Sequence, residues 1–239
     1  MAILGITDPS ITALVYSVLT GILPALFWLW FWTREDKMHP EPRGHLLLVF
    51  LGGMAAVAIA YPLQKLAFDA LGLTASTLFI WATIEELLKY IVVAALVLYT
   101  VDYDEPVDAI IYLITAALGF SAMENTLFIL SPMLDGDIFR ALITGNTRFI
   151  GASMLHVVCS AILGYSIARE FFRGKVFKMA WRILGLSVAI GLHTAFNLFI
   201  IDDKNGSRTF LAFSVIWMLA IVVLILFENI KKAQVKETP

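Results

Sequence analysis

Charge is scarce in this 239-residue chain: Asp, Glu, Lys and Arg make up 15% of it, against about 25% in ordinary soluble domains. Cysteine is scarcer still, and Cys159, standing alone, cannot form an internal disulfide. A formal net charge of −2 excludes the basic bulk that draws proteins onto nucleic acid. No Lys or Arg precedes Arg34. The first apolar stretch therefore lacks the cationic start of a secretory signal and is expected to remain as a span. Low-complexity segments and obvious repeats are lacking too. So are G-x-S-x-G, a Cys–His motif and H-E-x-x-H, the usual marks of a covalent nucleophile or of one class of zinc peptidase.

Apolar residues, at 60%, are what the chain has in abundance. A protein of this size cannot hide so much apolar surface from water, so the bilayer is its solvent. The expectation is an all-α polytopic bundle forming one membrane domain over residues 1–239. A hydrocarbon core of about 30 Å needs roughly 20 apolar residues as helix. Seven stretches qualify, near Ile11–Trp32, His45–Leu66, Ser76–Thr100, Val107–Leu130, Thr147–Ala168, Trp181–Ile201 and Thr209–Phe227. Ile138–Gly145 reads either as an interfacial helix, making eight, or as the start of span five. Pro24 and Pro62 are candidate kinks. The Gly52-Gly53 pair suits close helix approach, and Trp28, Trp30 and Trp32 suit an interfacial anchor.

Cations set orientation. Arg34, Lys37 and Arg43 follow span one; Arg169, Arg173, Lys175, Lys178 and Arg182 follow span five; Lys231, Lys232 and Lys236 follow span seven. With seven spans these share one side and outnumber Lys65, Arg140, Arg148, Lys204 and Arg208 on the other. The N-terminus is thus expected outside and the C-terminus in the cytoplasm. The acidic loop Val101–Pro106 fits poorly, but acidic residues count little in this rule.

Ionisable residues inside spans are costly, about 2.5–3.5 kcal/mol each at the bilayer centre on insertion scales, and mark function or structural pairing. Span three carries Glu85, Glu86 and Lys89. Either Glu can reach Lys89 on the helix surface. One Glu and one Lys would suit a packing salt bridge, but the second Glu leaves a surplus acid for chemistry. Span four carries Glu124-Asn125, which read equally well as a snorkelling end. In span five His156 lies on a stripe with Arg148, Ala152, Ser160 and Gly164 at four-residue spacing; alone, such a His is more often a packing residue. In span six His193 and Asn197 share a face, and an interhelical hydrogen bond would explain them structurally. Depth argues for a site. At 1.5 Å per residue from each span's outer end, Glu85 and His156 lie about 14 Å in, His193 about 12 Å, Glu124 about 9 Å and Asn197 about 6 Å. Their polar groups thus lie at similar heights, within about a turn, in the outer half of the membrane.

A carboxylate in a low-dielectric interior can act as general base or acid near neutral pH. His can share a water with it, and His and Asn one turn apart can donate to an oxyanion. Together these suit a water-activating hydrolase.

Glu85-Glu86-x-x-Lys89, Phe120-x-x-x-Glu124-Asn125, His156 and His193-x-x-x-Asn197 resemble the PrsW family of intramembrane proteases, relatives of the type II CAAX prenyl endopeptidases. The resemblance runs from Trp81 to Asn197. It implies a multi-pass peptidase of a prokaryotic plasma membrane that makes the first cut in a membrane-anchored anti-sigma factor, on the extracytoplasmic side. By position it implies Glu85 as the base that activates water and Glu86 as its assistant or the partner of Lys89. It implies His156 as a holder of that water and His193 with Asn197 as oxyanion donors. Glu124 stands where the CAAX relatives have His, and Lys89 where they have Arg, with altered spacing. A Glu pair as the conspicuous element favours a glutamate mechanism with no cofactor. Zinc stays open, with His156, His193 and Glu85 as its ligands. Two other classes remain: a proton-coupled transporter, which also uses intramembrane Glu, His and Lys, and a non-catalytic scaffold.

Overall fold

A computed structural model describes residues 9–35, 40–101, 103–171, 174–201, 203 and 205–237. The helices are α1 (Pro9–Glu35), α2 (Arg43–Leu71), α3 (Ala75–Leu96), α4 (Asp108–Leu134), α5 (Ile138–Thr147), α6 (Ser153–Glu170), α7 (Lys175–Ile200) and α8 (Ser207–Glu237). A π-helical turn, Arg148–Ala152, joins α5 to α6. No strand occurs among the described residues. Of the cations counted above, Lys37, Arg173 and Lys204 lie outside the described residues, as does Asp102 of the acidic loop; Lys175 and Lys236 are placed by backbone alone.

All seven expected stretches fall on helices among the described residues, the third overrunning its helix, since α3 stops at Leu96 rather than Thr100. Six helices, the continuous Ile138–Glu170 among them, are long and apolar enough to cross a membrane. The other, α3, has 22 residues and is set apart by Glu85, Glu86 and Lys89 in its middle. Ile138–Gly145 is the start of the fifth span, since α5 runs through the π turn into α6. Both α1 and α2 continue through Pro24 and Pro62. Local chemistry fixes the ends. Gly72, at φ +64°, ends α2, a backbone state that suits glycine. Thr74 caps α3 by accepting from the Thr77 amide at 3.3 Å, and Asp137 caps α5 by accepting from the Arg140 amide at 2.9 Å.

Helix α4 is the axis, buried along most of its length and packed by α1, α2 and α6. Glycines allow that closeness. A methyl group on Gly53 would collide with the Ala116 carbonyl, and one on Gly119 with the Phe50 carbonyl, so α2 and α4 touch backbone to backbone. Gly52 instead faces Val92 of α3. Leu23, Ile59, Leu66, Ile91, Ile183 and Ile221 all lie more than half exposed. Such a belt is stable only under lipid, and the chain is an integral membrane protein. Trp30 is half exposed as an anchor would be, but Trp32 is 2% exposed and packs edge-on against Phe227 of α8; it belongs to the core.

Gly119→Ala forces α2 from α4, and overpacking of this kind costs about 1–3 kcal/mol. A lowered unfolding temperature in detergent is expected, with Gly44→Ala, whose added methyl meets nothing within 4 Å, showing no loss.

Candidate functional site

Glu85, Glu86 and Lys89 project from the middle of α3 into the bundle, where α6 brings His156 and α7 brings His193. All five are buried, Glu86 and Lys89 completely. Lys89 donates to Glu86 Oε1 at 2.5 Å and lies 3.1 Å from His156 Nδ1. Spacing allowed Lys89 either carboxylate; its hydrogen bond goes to Glu86. The same Glu86 oxygen lies 2.7 Å from His193 Nδ1. An ionised Glu86 accepts from both, so the neutral His193 tautomer that donates from Nδ1 presents its Nε2 lone pair on the other side.

That lone pair faces Glu85. Oε2 of Glu85 is 3.7 Å from His193 Nε2 and 3.9 Å from His156 Nδ1. It is buried and accepts no hydrogen bond among the described residues. Its sister Oε1 accepts from Gln64 Nε2 of α2 at 2.7 Å. The carboxylate is therefore held by one oxygen and open at the other, between two imidazoles whose centroids stand 5.2 Å apart.

Glu124 is not a snorkelling cap. Its Oε2 accepts from Arg148 at 2.5 Å and lies 3.0 Å from His156 Nε2, so it ties the far side of that imidazole. Asn125 accepts from Arg148 Nε at 2.6 Å and donates to Ser153 Oγ at 2.9 Å. Arg148 opens the π turn, in which the Ser153 amide reaches the Arg148 carbonyl five residues back. Such bulges recur at functional sites. The turn interrupts the four-residue stripe expected through His156. Burial does not single that stripe out either, because α6 is buried nearly all round. Asn197 lies half-buried one turn beyond His193 and takes no part in the network among the described residues.

Two neighbours of the site, Gln64 and Cys159, carry no charge to mark them in the sequence, and Arg148 finds partners that its spacing does not specify. Gln64 is uncharged, and its only signal is an amide inside an apolar span. Arg148 reads both as an outer-side cation and as a member of the His156 stripe, and its partners prove to be Glu124 and Asn125 of α4. Cys159 is buried one turn beyond His156, and Glu86, Cys159 and His193 form a second set of potential metal donors within 4.8 Å of one another.

The first such set is Glu85, His156 and His193. His₂Glu is a known catalytic zinc set, and Glu86 behind His193 is the usual outer partner of a metal-bound imidazole. Tetrahedral ligands at about 2.1 Å stand roughly 3.4 Å apart, so separations of 3.7 and 3.9 Å need little closure. Glu85 Oε2 and His193 Nε2 are free to ligate, whereas His156 Nδ1 must first leave Lys89. The donors fit a divalent metal in kind, with that one conflict.

A family model described as "PrsW family intramembrane metalloprotease" matches residues 41–226. The chain is similar to proteins named "Protease PrsW". It is 29% identical to that of Geobacillus kaustophilus over 161 residues, covering 65% of this chain and 67% of the relative. Identity is 26% with that of Halalkalibacterium halodurans, covering 87% and 95%. It is 27% with that of Clostridioides difficile, covering 90% and 89%. No solved structure matches the chain.

Removing one member of a buried ion pair costs about 3–5 kcal/mol, because the partner's charge stays behind. Lys89→Met is therefore expected to lower thermal stability sharply in detergent. Adding Glu86→Gln to it should restore much of the loss in a double-mutant cycle.

Proposed function

The chain belongs to the PrsW family and is a membrane protease, and from that premise we propose that it hydrolyses a peptide bond of a membrane-anchored protein with water activated by Glu85. The observation that carries this reading is the half-held carboxylate: Oε1 accepts from Gln64 while Oε2 is unpartnered beside two imidazoles. A water against Oε2 gives up a proton to it as the water oxygen attacks the carbonyl carbon. The resulting oxyanion takes hydrogen bonds from the Asn197 amide, which makes no side-chain hydrogen bond among the described residues, and from His193 when its second nitrogen is protonated. The proton on Glu85 passes to the leaving nitrogen as the C–N bond breaks, returning Glu85 to the carboxylate and releasing an acid and an amine.

In this reading Glu86 and Lys89 neutralise each other and hold His193 and His156. Glu124, fixed by Arg148 and backed by Asn125, orients His156 from behind and is a positioning residue. Membership in a protease family favours hydrolysis over the transport and scaffold readings. We place the N-terminus outside, the C-terminus in the cytoplasm of a prokaryotic cell and the site in the outer half of one membrane domain, on the cation bias and on the depth of Glu85 in its helix. A membrane-anchored anti-sigma factor, cut on its extracytoplasmic side, suits that placement.

A second reading rests on the His₂Glu donor set. Zinc held by Glu85, His156 and His193 would supply Lewis-acid polarisation of the water. Of the chain's own residues, Glu86 would stay behind His193 and Glu124 behind His156, while Lys89 would have to leave Nδ1.

Cleavage of single-span peptides in liposomes, read by mass spectrometry, tests both. Glu85→Gln should cut about 10²–10⁴-fold more slowly than wild type with its fold intact, and a chelator should leave wild type unchanged. Equal cleavage by Glu85→Gln contradicts the base. Loss of activity on chelation with recovery on zinc moves the mechanism to the metal.

A further inference from the structure

A second polar grouping lies at the opposite end of the same helices. Where the C-terminal end of α3 meets the start of α7, a cavity of about 470 Å³ opens between α3, α6 and α7. Its walls are apolar, from Met179, Ile183 and Leu186 of α7 and Leu163 of α6. Lys178, Arg182, Tyr90 and Tyr99 also line it.

The hydrogen-bond roles of those four are one-sided. Arg182 commits Nε and one terminal nitrogen to Glu170 Oε1, each at 2.6 Å. Its other terminal nitrogen donates to the Tyr90 and Tyr99 hydroxyl oxygens at 3.4 and 3.2 Å. Those oxygens act as acceptors there, so each phenol keeps its own O–H to give. Lys178 makes no ion pair among the described residues and adds an ammonium. Glu170, the neighbouring carboxylate, is 1% exposed, is held by Arg182 and does not line the cavity. The wall thus offers donors and positive charge over an apolar floor, with no carboxylate in its lining.

The position defines the ligand class. Alternating spans bring Arg34, Arg43, Arg169, Lys231 and Lys232 to this end as well, so the cavity sits at the membrane face that carries the cations. Basic pockets between helices at that level suit anionic lipid headgroups. Two phenol O–H groups and an ammonium match phosphate oxygens, and the apolar floor matches the first methylenes of an acyl chain. We propose that this cavity between α3, α6 and α7 binds an anionic phospholipid, its phosphate on Lys178, Tyr90 and Tyr99 and its upper acyl chain along α7. The lipid would brace α3 against α7, the two helices that carry Glu85 and His193, at the end away from the site.

Native mass spectrometry of the delipidated full chain in detergent tests this with phosphatidylglycerol, phosphatidylcholine of the same acyl chains and inorganic phosphate. One phosphatidylglycerol is expected to be retained at least about tenfold better than phosphatidylcholine, and about tenfold less well by Lys178→Gln combined with Tyr99→Phe. That variant spares the Arg182–Glu170 pair; circular dichroism and the unfolding temperature confirm that it folds. Arg169→Gln, on the same face but outside the cavity, should retain the lipid as wild type does. Equal retention of both lipids reduces the cavity to an apolar groove and overturns the proposal. So does an equal loss in Arg169→Gln, which indicates diffuse attraction, or displacement of the lipid by millimolar phosphate, which indicates a free-anion site.

Discussion

The ion pair between Glu86 and Lys89, sealed from both water and lipid, is the constraint from which the rest of the site follows. Neither charge could stand alone there; each makes the other tolerable. Lys89 also reaches His156 and Glu86 also reaches His193, so one pair on α3 sets imidazoles on α6 and α7. What it leaves over is Glu85, adjacent in sequence and therefore turned about 100° around the helix. Two neighbouring carboxylates thus acquire different surroundings from helical geometry alone. One is saturated by a cation and a histidine, while the other is held at one oxygen and bare at the other.

Such a polar centre needs a rigid apolar frame, because misplacing a proton acceptor by an ångström removes its advantage. Backbone contact between α2 and α4 through Gly53 and Gly119 supplies part of it. It fixes α2, and so Gln64, relative to the bundle. Trp81 Nε1 ties the same stretch by donating to the Gln64 carbonyl at 2.9 Å. On the other flank the π turn brings Arg148 onto Glu124 and Asn125. His156 is thereby gripped from two sides, by Lys89 at one nitrogen and Glu124 at the other.

Much of this was legible in the sequence. Length and apolarity located every helix, because the bilayer demands both, and the cost of intramembrane charge pointed to Glu85, Glu86, Lys89, His156 and His193, which do converge. Their pairing was not legible: residues three and four apart are both neighbours on a helix, so only the placement of α7 decides that Lys89 belongs to Glu86. Nor were the partners of Arg148: four-residue spacing puts it on the stripe with His156, but the π turn breaks that register and sets it on Glu124 and Asn125 instead. Gln64 escaped because an amide costs less than a charge in lipid. Trp32 was misread as an anchor because sequence alone does not say which side of α1 meets α8.

The division of roles between the two carboxylates is tested most directly by comparing single-turnover cleavage by Glu85→Gln and Glu86→Gln in the same liposomes. Gln at position 86 leaves the Lys89 charge behind and should lower the unfolding temperature, but its amide oxygen can still accept from Lys89 and His193, so the folded protein should keep measurable, slower cleavage. Gln at position 85 cannot take a proton from water, so product should fall to background. A folded Glu86→Gln enzyme at background, beside a Glu85→Gln enzyme that still cuts, would reverse the assignment.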